Sequence, residues 1–170
     1  VWFILTPLYN RFLQISTENL LNLFESPDIT RLVPQETHAA IVSRIDFPAG
    51  RSAVGKVRTT DLHFPNVLLF ALFLAVPGLA WKERLSNLGM ALLVSVIFHL
   101  VLHVFWVKFI YATQLGDWSL QNYGAFSRNF WGLGKHLMDL PIKLGLPFGL
   151  WAAYYLGRFA PMGRDQRSAA

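Results

Sequence analysis

The chain has 170 residues, 54% of them hydrophobic and 15% charged, with a formal net charge of +5. Its fifteen Lys and Arg are scattered rather than gathered into a run, which argues against nucleic acid as a partner and for charges that flank membrane segments beside anionic lipid. The absence of cysteine excludes disulfides, thiolate metal sites and every cysteine nucleophile.

Residues 1–24 start apolar and then turn amphipathic. Val1 to Leu5 is too short to span a bilayer and lacks the basic segment of a signal peptide, so it reads as the tail of a span that begins upstream. Pro7 should break or kink this stretch. Beyond it, Leu8, Phe12, Ile15, Leu20, Leu23 and Phe24 share one helical face, while Arg11, Gln14, Thr17, Glu18 and Asn22 fall mostly elsewhere. The pattern is that of a span end running into an interfacial helix.

Residues 25–64 form the one sizeable polar segment. Five basic residues (Arg31, Arg44, Arg51, Lys56, Arg58) are matched there by five acidic ones (Glu25, Asp28, Glu36, Asp46, Asp61). Residues 37–47, with Ile41, Val42, Ile45 and Phe47, read as a strand, Phe47-Pro48-Ala49-Gly50-Arg51 as a turn, and 52–62 as a second strand. A small β-hairpin is expected.

Residues 65–112 hold two apolar runs. The first, 65–81, opens with Pro65, suited to a first helical turn, and should kink at Pro77-Gly78. Lys82 to Asn87 reads as a tight hydrophilic connection. The second run, 88–112, is almost entirely apolar, broken by Ser95, His99, His103 and Lys108. That length crosses a hydrocarbon core as one helix.

Residues 113–143 carry Tyr123, Phe126, Phe130, Leu133, Leu137 and Leu140 at three- and four-residue steps, with Arg128, Lys135 and Asp139 off that stripe. An amphipathic helix in the headgroup zone is expected, anchored by Trp118 and Trp131. Residues 144–160 are a last apolar block containing Trp151, and 161–170 a basic tail. Placing the short basic connections inside puts Lys82, Arg84 and the C-terminus in the cytoplasm and segments 25–64 and 113–143 outside. The fold expected is an all-α polytopic membrane protein of three to four transmembrane helices, with a small β-containing extracytoplasmic segment and an interfacial amphipathic helix.

His99 and His103 stand four apart near the middle of the long apolar run, so both project from one helical face. A neutral imidazole can ligate haem iron, chlorophyll magnesium or zinc, and polar groups inside a membrane are costly. The plainer reading is that they hydrogen-bond within the bundle or to a partner subunit. Nucleophilic catalysis finds no G-x-S-x-G motif, Walker loop, HExxH or paired carboxylates at fixed helical spacing. The six Trp and fourteen Phe suit membrane anchoring and subunit packing, with Trp118, Tyr123, Phe126, Phe130, Trp131 and Trp151 as candidate partner or membrane contacts.

One family shares this layout. An apolar run ends in Thr6-Pro7-Leu8-Tyr9, a helix with Glu18-Asn19-Leu20-Leu21 follows, then a polar segment. His63-Phe64-Pro65-Asn66 next opens an apolar run, Lys82 and Arg84 mark a short connection, and a long run carries His99. Over residues 1–103 the chain resembles the small bacterial membrane proteins associated with the exosortase/archaeosortase system, particularly those accompanying exosortase H. The resemblance implies an accessory role in protein sorting or envelope export. Exosortases themselves use a Cys with Arg and His, so a chain without cysteine is not the transpeptidase, and no catalytic residue carries over. The expectation is a non-enzymatic accessory or scaffold subunit of a larger bacterial inner-membrane complex. Its partners would be other membrane subunits and the lipid bilayer. The alternative is a subunit that binds haem b or bacteriochlorophyll through His99 or His103.

Overall fold

The computed structural model describes residues 2–25, 30–36, 39–44, 55–58 and 63–159. It is mostly helical with little strand. In chain order come α1 (Trp2–Asn22), three strands β1 (Thr30–Glu36), β2 (Ala39–Arg44) and β3 (Gly55–Arg58), then α2 (His63–Leu74) and α3 (Trp81–Thr113). They are followed by α4 (Asp117–Asn122), α5 (Ala125–Leu137), a π-helical turn (Met138–Ile142) and α6 (Lys143–Phe159).

Helix α3 is the axis of the molecule. Its 33 residues extend about 50 Å at 1.5 Å per residue, and it is the one described helix long and apolar enough to cross a membrane. Every other helix and the sheet pack on it. Its first half meets α2 and α6 in a core of Leu69, Phe73, Leu88, Ala91 and Tyr155. Its middle meets α1 through Leu13 and Leu102. Its last turns meet α1 and the sheet through Leu21, Leu32, Val57, Val107, Ile110 and Tyr111. The order of these contacts, Leu13 with Leu102 and then Leu21 with Val107 to Tyr111, sets α1 parallel to α3.

Several elements depart from the sequence expectation for identifiable reasons. Pro7 does not break α1, which runs unbroken from Trp2 to Asn22. The Lys82-Glu83-Arg84 stretch is the first turn of α3 rather than a connection. The preceding helix instead stops at Leu74, before Pro77, and the chain reverses at Gly78, whose φ of 74° favours a residue without a Cβ. Arg84 secures the reversal by donating to the carbonyls of Leu74 (2.7 Å) and Leu79 (3.1 Å). The sheet has three antiparallel strands in the order β1-β2-β3 rather than two. Strand β1 pairs Leu32 with Val42 and Val33 with Ile41, and its Pro34 is tolerated because β1 is an edge strand with a register shift at that point. The turn expected at 47–51 lies outside the described residues.

The helix expected to lie flat at an interface is α5, and it packs along the C-terminal half of α3. The rings of Phe105 and Trp131 meet at 5.1 Å and those of Phe109 and His136 at 5.9 Å. Of the two glycines facing α3, Gly134 is the one that permits this approach. A Cβ on Gly132 would lie 3.9 Å from the Phe109 ring, and one on Gly134 would fall into the Phe105 ring. The chain then continues into α6 through the π turn, where Pro141 supplies no N–H and widens the local hydrogen-bond pattern.

This packing generates a test. Gly134→Val should lower stability by about 1–3 kcal/mol, because the new side chain must displace Phe105. Gly132→Ala should be neutral or slightly stabilising, because its Cβ makes an ordinary contact and alanine favours the helix. Thermal unfolding of both variants in the same detergent checks the contrast.

Candidate functional site: a buried polar seam

The residues hidden inside the bundle are unusually polar. Along α1 the buried positions are Thr6, Asn10, Leu13, Gln14, Thr17 and Leu21, while Leu8, Phe12 and Ile15 face outward and are about half exposed or more. Along α3 the buried polar positions are Ser95, His99 and His103, spaced four apart on one face, while Met90, Leu93, Val94 and Ile97 face outward. The apolar face read in α1 from the sequence is therefore the outer face. Two polar stripes meet where α1 and α3 lie side by side, and α2 adds buried Asn66.

The seam is joined by hydrogen bonds. Ser95 Oγ donates to Asn66 Oδ1 at 2.8 Å, and Asn66 also bonds the Tyr9 hydroxyl. That hydroxyl meets His99 Nδ1 at 2.5 Å, and the Tyr9 and His99 rings stand edge to face. His103 Nδ1 lies 3.0 Å from the His99 carbonyl. A carbonyl only accepts, so His103 carries its hydrogen on Nδ1 and presents a lone pair at Nε2. That Nε2 and the hydroxyl of Thr17 are buried without a hydrogen-bond partner among the described residues.

A charged clamp closes the end of the seam under the sheet. Lys108 Nζ lies 2.6 Å from Glu25 Oε1, with their side chains 17% and 6% exposed. Thr30 donates to the other oxygen of Glu25 at 2.6 Å and lies 2.9 Å from the Tyr111 hydroxyl. Glu18 accepts from the Leu32 amide at 3.0 Å and from Arg31 at 2.9 Å, tying β1 to α1. A second charged group lies between α5 and α3. Asp139 pairs with Lys135 (3.2 Å) and Lys143 (2.9 Å), one turn to either side, and Lys135 Nζ sits 3.9 Å over the Trp106 ring.

The structure brings His99 and His103 together in the seam, 0% and 2% exposed. Of the aromatic candidates, Trp118 and Tyr123 are half-buried and pack on the Tyr111 cluster. Trp131 stacks on Phe105, and Trp151 packs beside Tyr155. Phe126 and Phe130 face outward. Sequence reasoning missed Tyr9, Asn66, Glu25, Thr30 and Tyr111. A signal was present for α1, where Thr6, Asn10, Gln14 and Thr17 repeat at three- and four-residue steps.

As a ligand site the seam does not fit a tetrapyrrole. An axial imidazole must face a space as wide as the macrocycle, whereas both rings are enclosed by packed side chains. No cluster of three or more His, Asp or Glu among the described residues is placed to hold a metal ion. The arrangement does what polar groups do in a low-dielectric interior, which is to fix one helix register at high cost for any other. No family model, curated protein or solved structure matches the chain, so the site is read from its own geometry.

The clamp gives the sharpest energetic test. Glu25→Gln strands the Lys108 ammonium and should cost about 3 kcal/mol or more. The double variant Glu25→Gln/Lys108→Met should recover a large part of that loss, because no buried charge is left unpaired. A double-mutant cycle by denaturant titration in detergent reads the coupling directly.

Proposed function

We propose that this chain is a non-catalytic scaffold subunit of a larger bacterial inner-membrane complex, crossing the membrane three to four times. The observation that carries the reading is the inversion of polarity. Only 33% of the residues in the most apolar stretch of α3 are buried, yet Ser95, His99 and His103 are among those hidden. A core helix of a soluble protein hides its apolar side chains and shows its polar ones. A helix with the opposite arrangement is stable where the solvent is hydrocarbon or where partner helices cover it.

Helices α1, α2, α5 and α6 carry outward apolar residues of the same kind, including Phe12, Phe70, Leu133 and Phe148. Helices α2, α5 and α6 are short, at 12, 13 and 17 residues, so a thin bundle of this kind gains from packing against further helices. In this reading the sheet and α4 lie at the outer end of α3, where the sheet docks a periplasmic partner. Lys82 and Arg84 lie at its cytoplasmic end. The resemblance to exosortase-associated proteins supports the same assignment and suggests a sorting or export complex. The enclosed, mutually bonded state of Tyr9, His99 and Asn66 supports a register-fixing rather than a catalytic role.

Purification of the native complex in mild detergent tests the proposal, with absorption spectroscopy and mass spectrometry on one sample. The expected result is a colourless preparation with stoichiometric membrane partners that are lost when Leu93→Arg puts a charge on the outer face of α3. A Soret or near-infrared band that disappears in His103→Ala would overturn it in favour of cofactor binding.

A further inference from the structure

Where α3, α4 and α5 meet, the structure opens a groove of about 790 Å³, within the range of small-ligand sites. We infer that this groove binds the headgroup of a zwitterionic phospholipid, phosphatidylethanolamine, with its acyl chain laid along the outer face of α5. The inference rests on the membrane placement of α3 proposed above.

Charge complementarity selects the headgroup. Arg128 and Asp117 line the same groove, one cation and one anion, together with Thr113 and Asn129. A phosphoethanolamine group carries the matching pair. Its phosphate takes the guanidinium, which offers several N–H donors in a fixed fork, and its ammonium takes the carboxylate. The Arg128 fork is held in place because Nη1 also donates to the Tyr123 carbonyl at 3.0 Å. Asn129 adds a donor suited to the remaining phosphate and glycerol oxygens, and Thr113, whose hydroxyl donates to the Phe109 carbonyl at 2.7 Å, leaves its oxygen as an acceptor toward the ammonium.

The groove continues into an apolar track. Leu133 belongs to both, since it lines the groove and is 63% exposed. Phe126, Phe130, Leu133 and Leu137 follow one another at four-, three- and four-residue steps, so they form one stripe on α5, and all are exposed. From Phe126 to Leu137 the helix covers about 16 Å, close to one leaflet's share of a hydrocarbon core about 30 Å thick. Thr113 ends α3 and its long apolar run, so the groove falls where headgroups lie and the track runs inward from it. The same helix turns Lys135 inward, against Trp106. An outward apolar stripe with an inward lysine suits contact with acyl chains.

The discriminating experiment is native mass spectrometry of the full chain released from nanodiscs containing equal parts of phosphatidylethanolamine, phosphatidylglycerol and phosphatidylcholine. The ammonium of phosphatidylcholine cannot donate a hydrogen bond to Asp117, and phosphatidylglycerol has no cation. Wild-type protein should retain phosphatidylethanolamine about tenfold over either, a difference of about 1.4 kcal/mol. Asp117→Asn should bring the ratio to near parity. Arg128→Gln should lower retention of all three lipids, and Arg128→Lys, which keeps the charge, should restore part of it. Equal retention of the three lipids by the wild type, or selectivity unchanged in Asp117→Asn, would overturn the inference and leave ordinary surrounding lipid. A chain that fails to enter nanodiscs and stays soluble overturns the membrane placement as well, whereas an inserted chain without selectivity overturns this inference alone.

Discussion

The structure depends on one constraint, that the middle of α3 buries Ser95, His99 and His103 while Met90, Leu93, Val94 and Ile97 face outward. In water that arrangement loses twice, because apolar area stays hydrated and polar atoms are buried. In hydrocarbon it is the low-energy choice, since the outward Leu, Ile and Met lose nothing and an inward polar group gains most from a partner. Ser95 finds Asn66, His99 finds Tyr9, and His103 finds the backbone one turn back. In the proposed membrane setting the hydrophobic effect would not hold the helices together, and these bonds and close ring packing would take its place. The seam fixes α1 and α2 on α3, and the close approach at Gly134 fixes α5 on it.

The charges at the sheet end of α3 follow the same logic. Glu25 and Lys108 are nearly covered and would be costly apart, and each is satisfied by the other at 2.6 Å. Thr30 and Tyr111 extend the pair so that the first residue of the sheet is bonded both to the end of α1 and to α3. The sheet is thus carried as a cap on the helices rather than as a separate unit. The Glu18 contacts to Arg31 and Leu32 hold its edge strand in the same way. Asp139 between two lysines repeats the device along α5, at the turn where Pro141 interrupts regular helix.

Much of this was legible in the sequence and some was not. The long apolar run of residues 88–112 and the shared face of His99 and His103 follow directly from composition and the 3.6-residue period. The stripe of Phe126, Phe130, Leu133 and Leu137 was also readable, with Phe126 and Phe130 expected at a partner or membrane contact, but what packs on the opposite face was not, since periodicity names a face without saying what covers it. The same ambiguity hid α1, whose apolar face points outward because its polar face has Ser95 and the histidines to meet. Strand β1 was obscured by Pro34, which is acceptable at an edge position that only strand pairing reveals. Glu25 and Lys108 lie 83 residues apart, and no local pattern joins them. The Tyr9–His99 bond spans 90 residues and was equally invisible.

Because the chain has no cysteine, single cysteines report accessibility without background. The most direct test of the account places them at Lys82, Ile97 and Gln114 and treats intact cells, then permeabilised cells, with a water-soluble maleimide. Ile97 is 54% exposed on the protein itself, so only lipid or a covering helix can shield it. The account predicts labelling at position 114 from outside, at position 82 only after permeabilisation, and no labelling at position 97 in either state. Equal labelling at all three positions, in a chain recovered from the soluble fraction, would contradict it.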